Sequence, residues 1–267
     1  MAKLLLFTDI HITEAGQTII GLDPLDRFER ALKRAVTDHP DASGILISGD
    51  LTHRGLNPEY LRLKACLDQA PLPVFLMLGN HDNREEACKV FPQMVQNGLN
   101  FVQFRLDFGH HTILCLDTKD DAAPDHHSGY LCAERLTWLD HQLKDAKGQI
   151  ITVVAHHPPH DVGFPGMDAI KIRNGRALLA RGLKYHQLIC GHVHRTIMGS
   201  LDGLPFAMLK STCHQAPLDF EDQTTSSSID EPAAYGVLCL NKKSVVIHTE
   251  DVSVSEPTRH KDDHSQS

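Results

Sequence analysis

Five short apolar runs along this chain each stop at a polar residue that a buried strand would not choose for packing. Lys3-Leu4-Leu5-Leu6-Phe7-Thr8 stops at Asp9-Ile10-His11, and Gly44-Ile45-Leu46-Ile47-Ser48 stops at Gly49-Asp50. Val74-Phe75-Leu76-Met77-Leu78 stops at Gly79-Asn80-His81-Asp82. Ile150-Ile151-Thr152-Val153-Val154-Ala155 stops at His156-His157-Pro158, and Gln187-Leu188-Ile189-Cys190 stops at Gly191-His192-Val193-His194. A short, mostly apolar run bounded by glycine or a polar turn is the pattern of a strand buried on both faces. Sheets built from such strands place their sites at the carboxyl ends. The five endings are therefore expected to converge as a cluster of metal ligands.

The segments between them fit helical crossovers. Pro24 and Asp26 open a helix with Phe28, Leu32 and Val36 on one face, ended by His39-Pro40-Asp41. Asn57-Pro58-Glu59 opens a second, with Tyr60, Leu63 and Leu67 aligned, and Pro71 and Pro73 close it. The order β-α-β-α-β predicts parallel pairing through right-handed crossovers. Further helices are expected over 83–94, 132–143 and 174–180. Strands are expected over 101–106 and 112–116, and later over 206–211, 235–240 and 244–248. Residues 118–130 read as a loop able to line a pocket, with His126-His127 as solvated positions. The long stretch through Gly163, Pro165 and Gly166 reads as a loop, and Asp219 to Glu231 as a mobile polar segment. No internal repeat or second domain boundary is visible, so residues 1–252 are taken as one domain. Residues 253–267 hold almost no apolar side chain and read as a disordered tail.

Composition narrows the function. A net charge of −8 makes a nucleic-acid backbone an unfavoured partner. The seven cysteines form no C-x-x-C pair and read as reduced core residues in a cytoplasmic protein. The apolar run before Asp9 is too short for a signal peptide, and no stretch is long enough to span a membrane.

Asp9-x-His11, Gly49-Asp50, Gly79-Asn80-His81-Asp82, His156-His157-Pro158 and Gly191-His192-Val193-His194, in that order, resemble the calcineurin-like metallophosphoesterases. Within them the chain looks most like the bacterial glycerophosphodiesterases and the class III 3′,5′-cyclic nucleotide phosphodiesterases. The resemblance reaches to about His248 and takes in Gly49-Asp50-Leu51-Thr52-His53-Arg54-Gly55 and Cys213-His214-Gln215-Ala216-Pro217. It implies a four-layer α-β-β-α sandwich of two mixed sheets with a dinuclear site at the strand ends. It implies two divalent ions of manganese, iron, zinc or cobalt, which carboxylate and imidazole ligands suit. Asp50 matches the bridging carboxylate. Asp9, His11 and His194 would complete the first ion's ligands, and Asn80, His156 and His192 the second's. The implied reaction is hydrolysis of a small phosphodiester by metal-activated hydroxide. His81 acts on the phosphate or leaving oxygen, and Asn80, His81, His157 and His214 are candidate substrate contacts. His53 is as readily a structural histidine as a pocket residue. The family also implies a homodimer or larger assembly.

Simpler roles exist for single residues. Asp50 alone could cap a turn, and Asn80 could cap the helix that follows it. Cys190, Cys213 and Trp138 read as packing residues. Among rival functions, a phosphomonoesterase needs basic side chains for a dianion, and none stands in the five strand-end motifs. A nuclease needs a basic groove, which the charge disfavours. A non-catalytic binding scaffold on the same fold would have lost ligands or His81, yet the set is complete.

Overall fold

Alternation along the first strand, β1 (Ala2–Phe7), sets the architecture. Leu4 and Leu6 join one buried cluster, while Leu5 and Phe7 join another, because successive side chains leave a strand on opposite faces. β2 (Ile45–Ile47) divides in the same way, Leu46 to the first cluster and Ile45 and Ile47 to the second. A strand that is apolar on both faces needs cover on both sides. The computed structural model, which describes residues 2–95, 100–225 and 227–252, supplies a second sheet on one face and helices on the other. Residues 253–267, expected to form a tail, lie outside the described residues.

The first sheet adds β3 (Val74–Leu76), β10 (Ala233–Asn241) and β11 (Ser244–Val252), in the order β11-β10-β1-β2-β3. β1, β2 and β3 are parallel, and β10 runs antiparallel to β1 and β11. The second sheet holds β4 (Phe104–Phe108), β5 (His111–Leu116), β6 (Ile150–Ala155), β7 (Gln187–Cys190), β8 (Ile197–Leu201) and β9 (Leu204–Met208). Its order is β4-β5-β6-β7-β9-β8, with a parallel centre and antiparallel edges. Both sheets are mixed. Phe104, Ile113, Val154 and Ile189 of the second sheet meet Leu4, Leu6, Leu46 and Leu238 of the first.

Three helices cover the first sheet: α1 (Pro24–Asp38), α2 (Asn57–Leu67) and α3 (Arg84–Val90). α1 begins where Asp23 accepts from the amides of Leu25 and Asp26, satisfying donors a helix start leaves open. Its Phe28 lies edge-on to Phe7 at 5.5 Å, and each such fully buried side chain contributes roughly 1.5–3 kcal/mol. The outer face of the second sheet is covered by α4 (Ala133–Asp145), α5 (Pro165–Ala169) and α6 (Gly175–Leu179) with their flanks, through Leu139, Leu143, Phe164 and Leu178.

Three local expectations change. The helix predicted over 83–94 stops at Val90, and Pro92 starts a separate 3-10 turn, because proline has no N–H for a continuing helix. The loop through Gly163 contains α5, entered by Pro165 at a position where a missing N–H costs nothing. β8 was not foreseen. It pairs with β9 across Asp202-Gly203, both at positive φ (50° and 84°), and an Asp-Gly pair favours that two-residue hairpin. Among the described residues no helix is long and apolar enough to cross a membrane.

Candidate metal centre

Register brings the five strand endings to one level. Phe7 pairs with Ile47 and Ile47 with Leu76, while Ala155 pairs with Cys190 in the other sheet. The chains beyond these positions stay tied: the Asp9 amide donates to Gly49 O at 3.1 Å, His11 N to Asp50 O at 2.9 Å and Gly191 N to His156 O at 3.0 Å. Hydrogen bonds cross the seam between the sheets. His156 Nδ1 donates to Ser48 O at 2.9 Å, and His192 N donates to the Asp9 carboxylate at 3.0 Å. The site thus sits where the two sheets meet.

The backbone there is bent into an unusual conformation. Among the described residues eight non-glycine positions have positive φ, and five of them are Asp9, His11, Asp50, His192 and His194. Such positions cost of order 1 kcal/mol or more and persist only where surrounding bonds enforce them. Gly79 has another role. A Cβ on it would run into Asp50 Oδ1 and lie 2.6 Å from His156 Nε2, so its bare backbone lets the β2 and β6 side chains meet.

The side chains form a tight buried group. Asp9, His11, Asp50 and His194 offer ligand atoms that all lie within 4.8 Å of one another. His11 Nε2 stands 3.0 Å from His194 Nε2 and 3.6 Å from Asp50 Oδ2. His194 Nε2 is 3.3 Å from Asp9 Oδ1. On the other side, His156 Nε2 is 3.4 Å from Asp50 Oδ2 and 3.8 Å from Asp9 Oδ1, and His192 Nδ1 is 3.0 Å from Asn80 Oδ1. Asp50 is therefore common to both halves. Asn80 does not cap α3: Asn83 does, accepting from Glu86 N at 3.2 Å, which leaves the Asn80 side chain to the site.

Hydrogen bonds fix the ring orientations. His156 Nδ1 is held by Ser48 O, His194 Nδ1 by His214 O and His81 Nδ1 by His53 O, the last two at 3.0 and 2.8 Å. A ring that donates from Nδ1 keeps a lone pair on Nε2, as a metal ligand requires. His156 Nε2 and His192 Nε2 are buried without a hydrogen-bond partner. The orphaned His156 Nε2 beside the Asp50 and Asp9 carboxylates fits a divalent cation, and so does this mixed imidazole and carboxylate donor set.

The electrostatics agree. Burial by itself raises the Asp50 pKa, but His156, His81 and His11 outweigh it and hold the carboxyl well below its usual range. Burial opposes charge on His156, yet Asp50 and Asp9 raise it to about 9: a proton there answers the negative charge that a cation would neutralise. Burial pushes His192 and His214 down to about 3 and His53 to about 4, leaving three neutral imidazoles.

Above this floor lies a cavity of about 370 Å³. His11, Asp50, Asn80, His81, His192 and His194 reach it, joined by His53, His127 and His214. His157 does not line it. Its Nδ1 accepts from Thr118 Oγ1 at 2.7 Å and its Nε2 donates to His127 O at 2.9 Å, so the expected substrate contact is corrected to a buried support. His127, expected in solvent, is instead part of the site: its Nδ1 accepts from Asn80 Nδ2 at 3.1 Å. No local pattern separates it from its exposed neighbour His126. Asp82 was also overlooked. Its buried carboxylate accepts from Leu51 N, Thr52 N, Gly79 N and Tyr60 Oη, tying the β2 and β3 turns together. Burial and the charge on Asp50 raise it to about 6. Its place in Gly79-Asn80-His81-Asp82 was the available signal.

Residues 2–196 match the family Calcineurin-like phosphoesterase. The chain belongs to that family. It is 37% identical over 250 residues to a protein of Rhodopseudomonas palustris named "Probable cyclic nucleotide phosphodiesterase", covering 92% of this chain and 91% of that one. It is 30% identical over 203 residues to the glycerophosphodiester phosphodiesterase GpdQ of Enterobacter lignolyticus, covering 73% and 71%. Among solved structures, a dimetal phosphatase from Danio rerio superposes with a TM-score of 0.70 at 13% identity, over 94% of this chain and 96% of that one, a likeness of fold. As a calcineurin-like phosphoesterase, the chain is a hydrolase whose His and Asp cluster suits divalent metal.

Proposed function

We propose that this phosphoesterase hydrolyses small phosphodiesters, glycerophosphodiesters or 3′,5′-cyclic nucleotides, with two divalent ions at the strand-end cluster. The observation that carries this reading is the cavity wall. Among the described residues it combines histidine, aspartate, hydroxyl and apolar side chains with no lysine or arginine. A dianionic monoester calls for such cations, whereas a monoanionic diester is matched by the metal charge. The names of the two relatives support the same substrate class.

Asp9, His11, His194 and Asp50 would hold one ion, and Asn80, His156, His192 and Asp50 the other. Manganese, iron, zinc and cobalt all suit this set. When bound, the ions polarise the phosphoryl group and supply a nucleophile at neutral pH. The residues do the rest. The His81 amide donates to Asp50 Oδ1 at 2.9 Å, and its Nδ1–H is fixed on His53 O. Carrying a second proton on Nε2, the ring would give it to the departing alkoxide and return to the neutral form with Nδ1–H still on His53 O. Neutral His53 and His214 line the cavity and give hydrogen-bonding edges to the phosphoryl oxygens. Association of two or more copies belongs to the same reading and is checked by light scattering.

The test is a panel on metal-loaded protein with a chelated control: cyclic AMP, glycerophosphoethanolamine, bis(p-nitrophenyl) phosphate and p-nitrophenyl phosphate. Chelator-sensitive turnover with kcat/KM higher for diesters supports the proposal and ranks the natural substrates. Preference for the monoester moves the chain to the phosphatases. Bound metal with no turnover returns it to a binding scaffold.

A further inference from the structure

One residue at the cavity mouth breaks a rule that turns normally obey. Ile19 and Leu22 exchange two backbone hydrogen bonds of 2.9 Å as an isolated bridge, closing a two-residue loop of Ile20 and Gly21. Both loop residues have positive φ, 48° and 84°. This is the geometry for which asparagine, aspartate or glycine is preferred at the first position. A β-branched residue there is an outlier, because its Cβ substituents crowd the backbone.

Packing does not explain the choice. Ile20 is 51% exposed and belongs to none of the buried clusters. It lines the cavity, together with Ile19. The same cavity is lined by Phe164, Met167 and Ile170 around α5 and by Ala216 and Pro217. Histidine and aspartate side chains make the floor, and these apolar side chains make much of the wall. Backbone strain without a packing reward, at a substrate entrance, points to function.

We infer that Ile20 is a substrate-contacting, specificity-determining residue, held by its strained turn against the non-reacting alcohol group of the diester. The group it favours presents an apolar face, as a nucleobase or aryl ring does and a small alkyl group does not. The inference rests on the phosphodiesterase reading.

The test uses two diesters that release the same p-nitrophenolate: thymidine 5′-(p-nitrophenyl phosphate) and methyl p-nitrophenyl phosphate. Manganese-loaded wild type is compared with Ile20→Asn, which suits the turn and removes the apolar surface, and with Ile20→Val, which keeps both strain and apolar character. Ile20→Asn is expected to keep or raise Tm and to hold metal content. It should lower the nucleoside-to-methyl ratio of kcat/KM about tenfold, mostly through KM, the scale of losing contact with one aliphatic side chain. Ile20→Val should keep most of the ratio. An unchanged ratio in Ile20→Asn, with wild type active on both esters, overturns the inference alone. A fall in Tm also overturns it, since the side chain would then be packing. Wild type inactive on both esters overturns the phosphodiesterase reading and this inference with it.

Discussion

The floor and the rim of the cavity are built on opposite principles. The floor is made of strand-end turns whose candidate ligands, the half-buried Asn80 apart, are buried; five of the seven sit at enforced positive φ, and bonds reach them from both sheets. The rim is made of the Ile19–Leu22 turn, the five-residue helix α5 and the segment from Ala216 to Ser228, much of it exposed. Single hydrogen bonds tie that segment to the body, Ala216 N donating to His194 O at 3.2 Å and Gly166 N to Asp222 O at 3.2 Å, and Arg27 anchors its flanks. Arg27 donates from Nε to Thr212 O at 3.1 Å, from Nη1 to Asp230 at 2.9 Å, and from Nη2 to Glu231 O. Gly166 lies so close to the Thr224 carbonyl that a Cβ would collide with it. The difference teaches where each property resides. Chemistry that tolerates no displacement is mounted on paired strands. The proposed selection among substrates falls to pieces that can change without disturbing the sheets.

The strongest challenge to this division is Asp50→Asn. With the shared carboxylate neutralised, both ions should be lost or weakened and kcat/KM should fall on the order of a thousandfold or more. Metal analysis after desalting, paired with the diester assay, checks it, and full turnover with retained metal would dissolve the floor as described. Gly79→Ala comes next. The new methyl meets Asp50 and His156, so activity should fall about a hundredfold, and stability by roughly 1–3 kcal/mol as overpacking does. Thermal melts and metal titration report the two effects separately.

His127→Ala sharpens the boundary between the two regions. Burial, helped by His81, lowers the basicity of His127, so its Nδ1 keeps the lone pair that receives Asn80 Nδ2–H. Removing it should weaken the ion proposed for Asn80, His156 and His192 about tenfold, the usual scale for an outer support, and leave the other proposed ion in place. Stepwise metal titration distinguishes that from uniform weakening. The smallest effect is expected at the rim. Arg27→Met should loosen the 212–231 segment, raise KM a few-fold and leave kcat within about twofold. A larger loss in kcat than in KM would mean that the rim shapes the floor.

The sequence was enough for β1, β2 and β3 with their parallel order, and for the polar residues that end the five apolar runs, because each of those signals is local. A buried strand writes a continuous apolar run, and Asp9, Asp50, Asn80, His156 and His192 each follow such a run within a few residues. It was enough for α1 and α2 as well, where Pro24 with Asp26 and Asn57-Pro58 mark the starts. The Asp202-Gly203 hairpin was equally legible and was missed. Tertiary structure alone decided matters that depend on juxtaposition. His127 and His126 have nearly the same local surroundings in the chain, yet one supports Asn80 and the other is exposed, because only the fold brings residue 127 beside the end of β3. His157 was expected to touch substrate, but the loop over 118–130 occupies both of its nitrogens. Asp82 gathered its donors from two different turns. The strain at Ile20 was invisible, since a sequence records which residue stands in a turn but not the sign of its φ. Local periodicity names the elements and the side chains that end them. Which of those side chains remain free to act is settled by contacts between residues far apart in the chain, and those exist only once the two sheets have closed on each other.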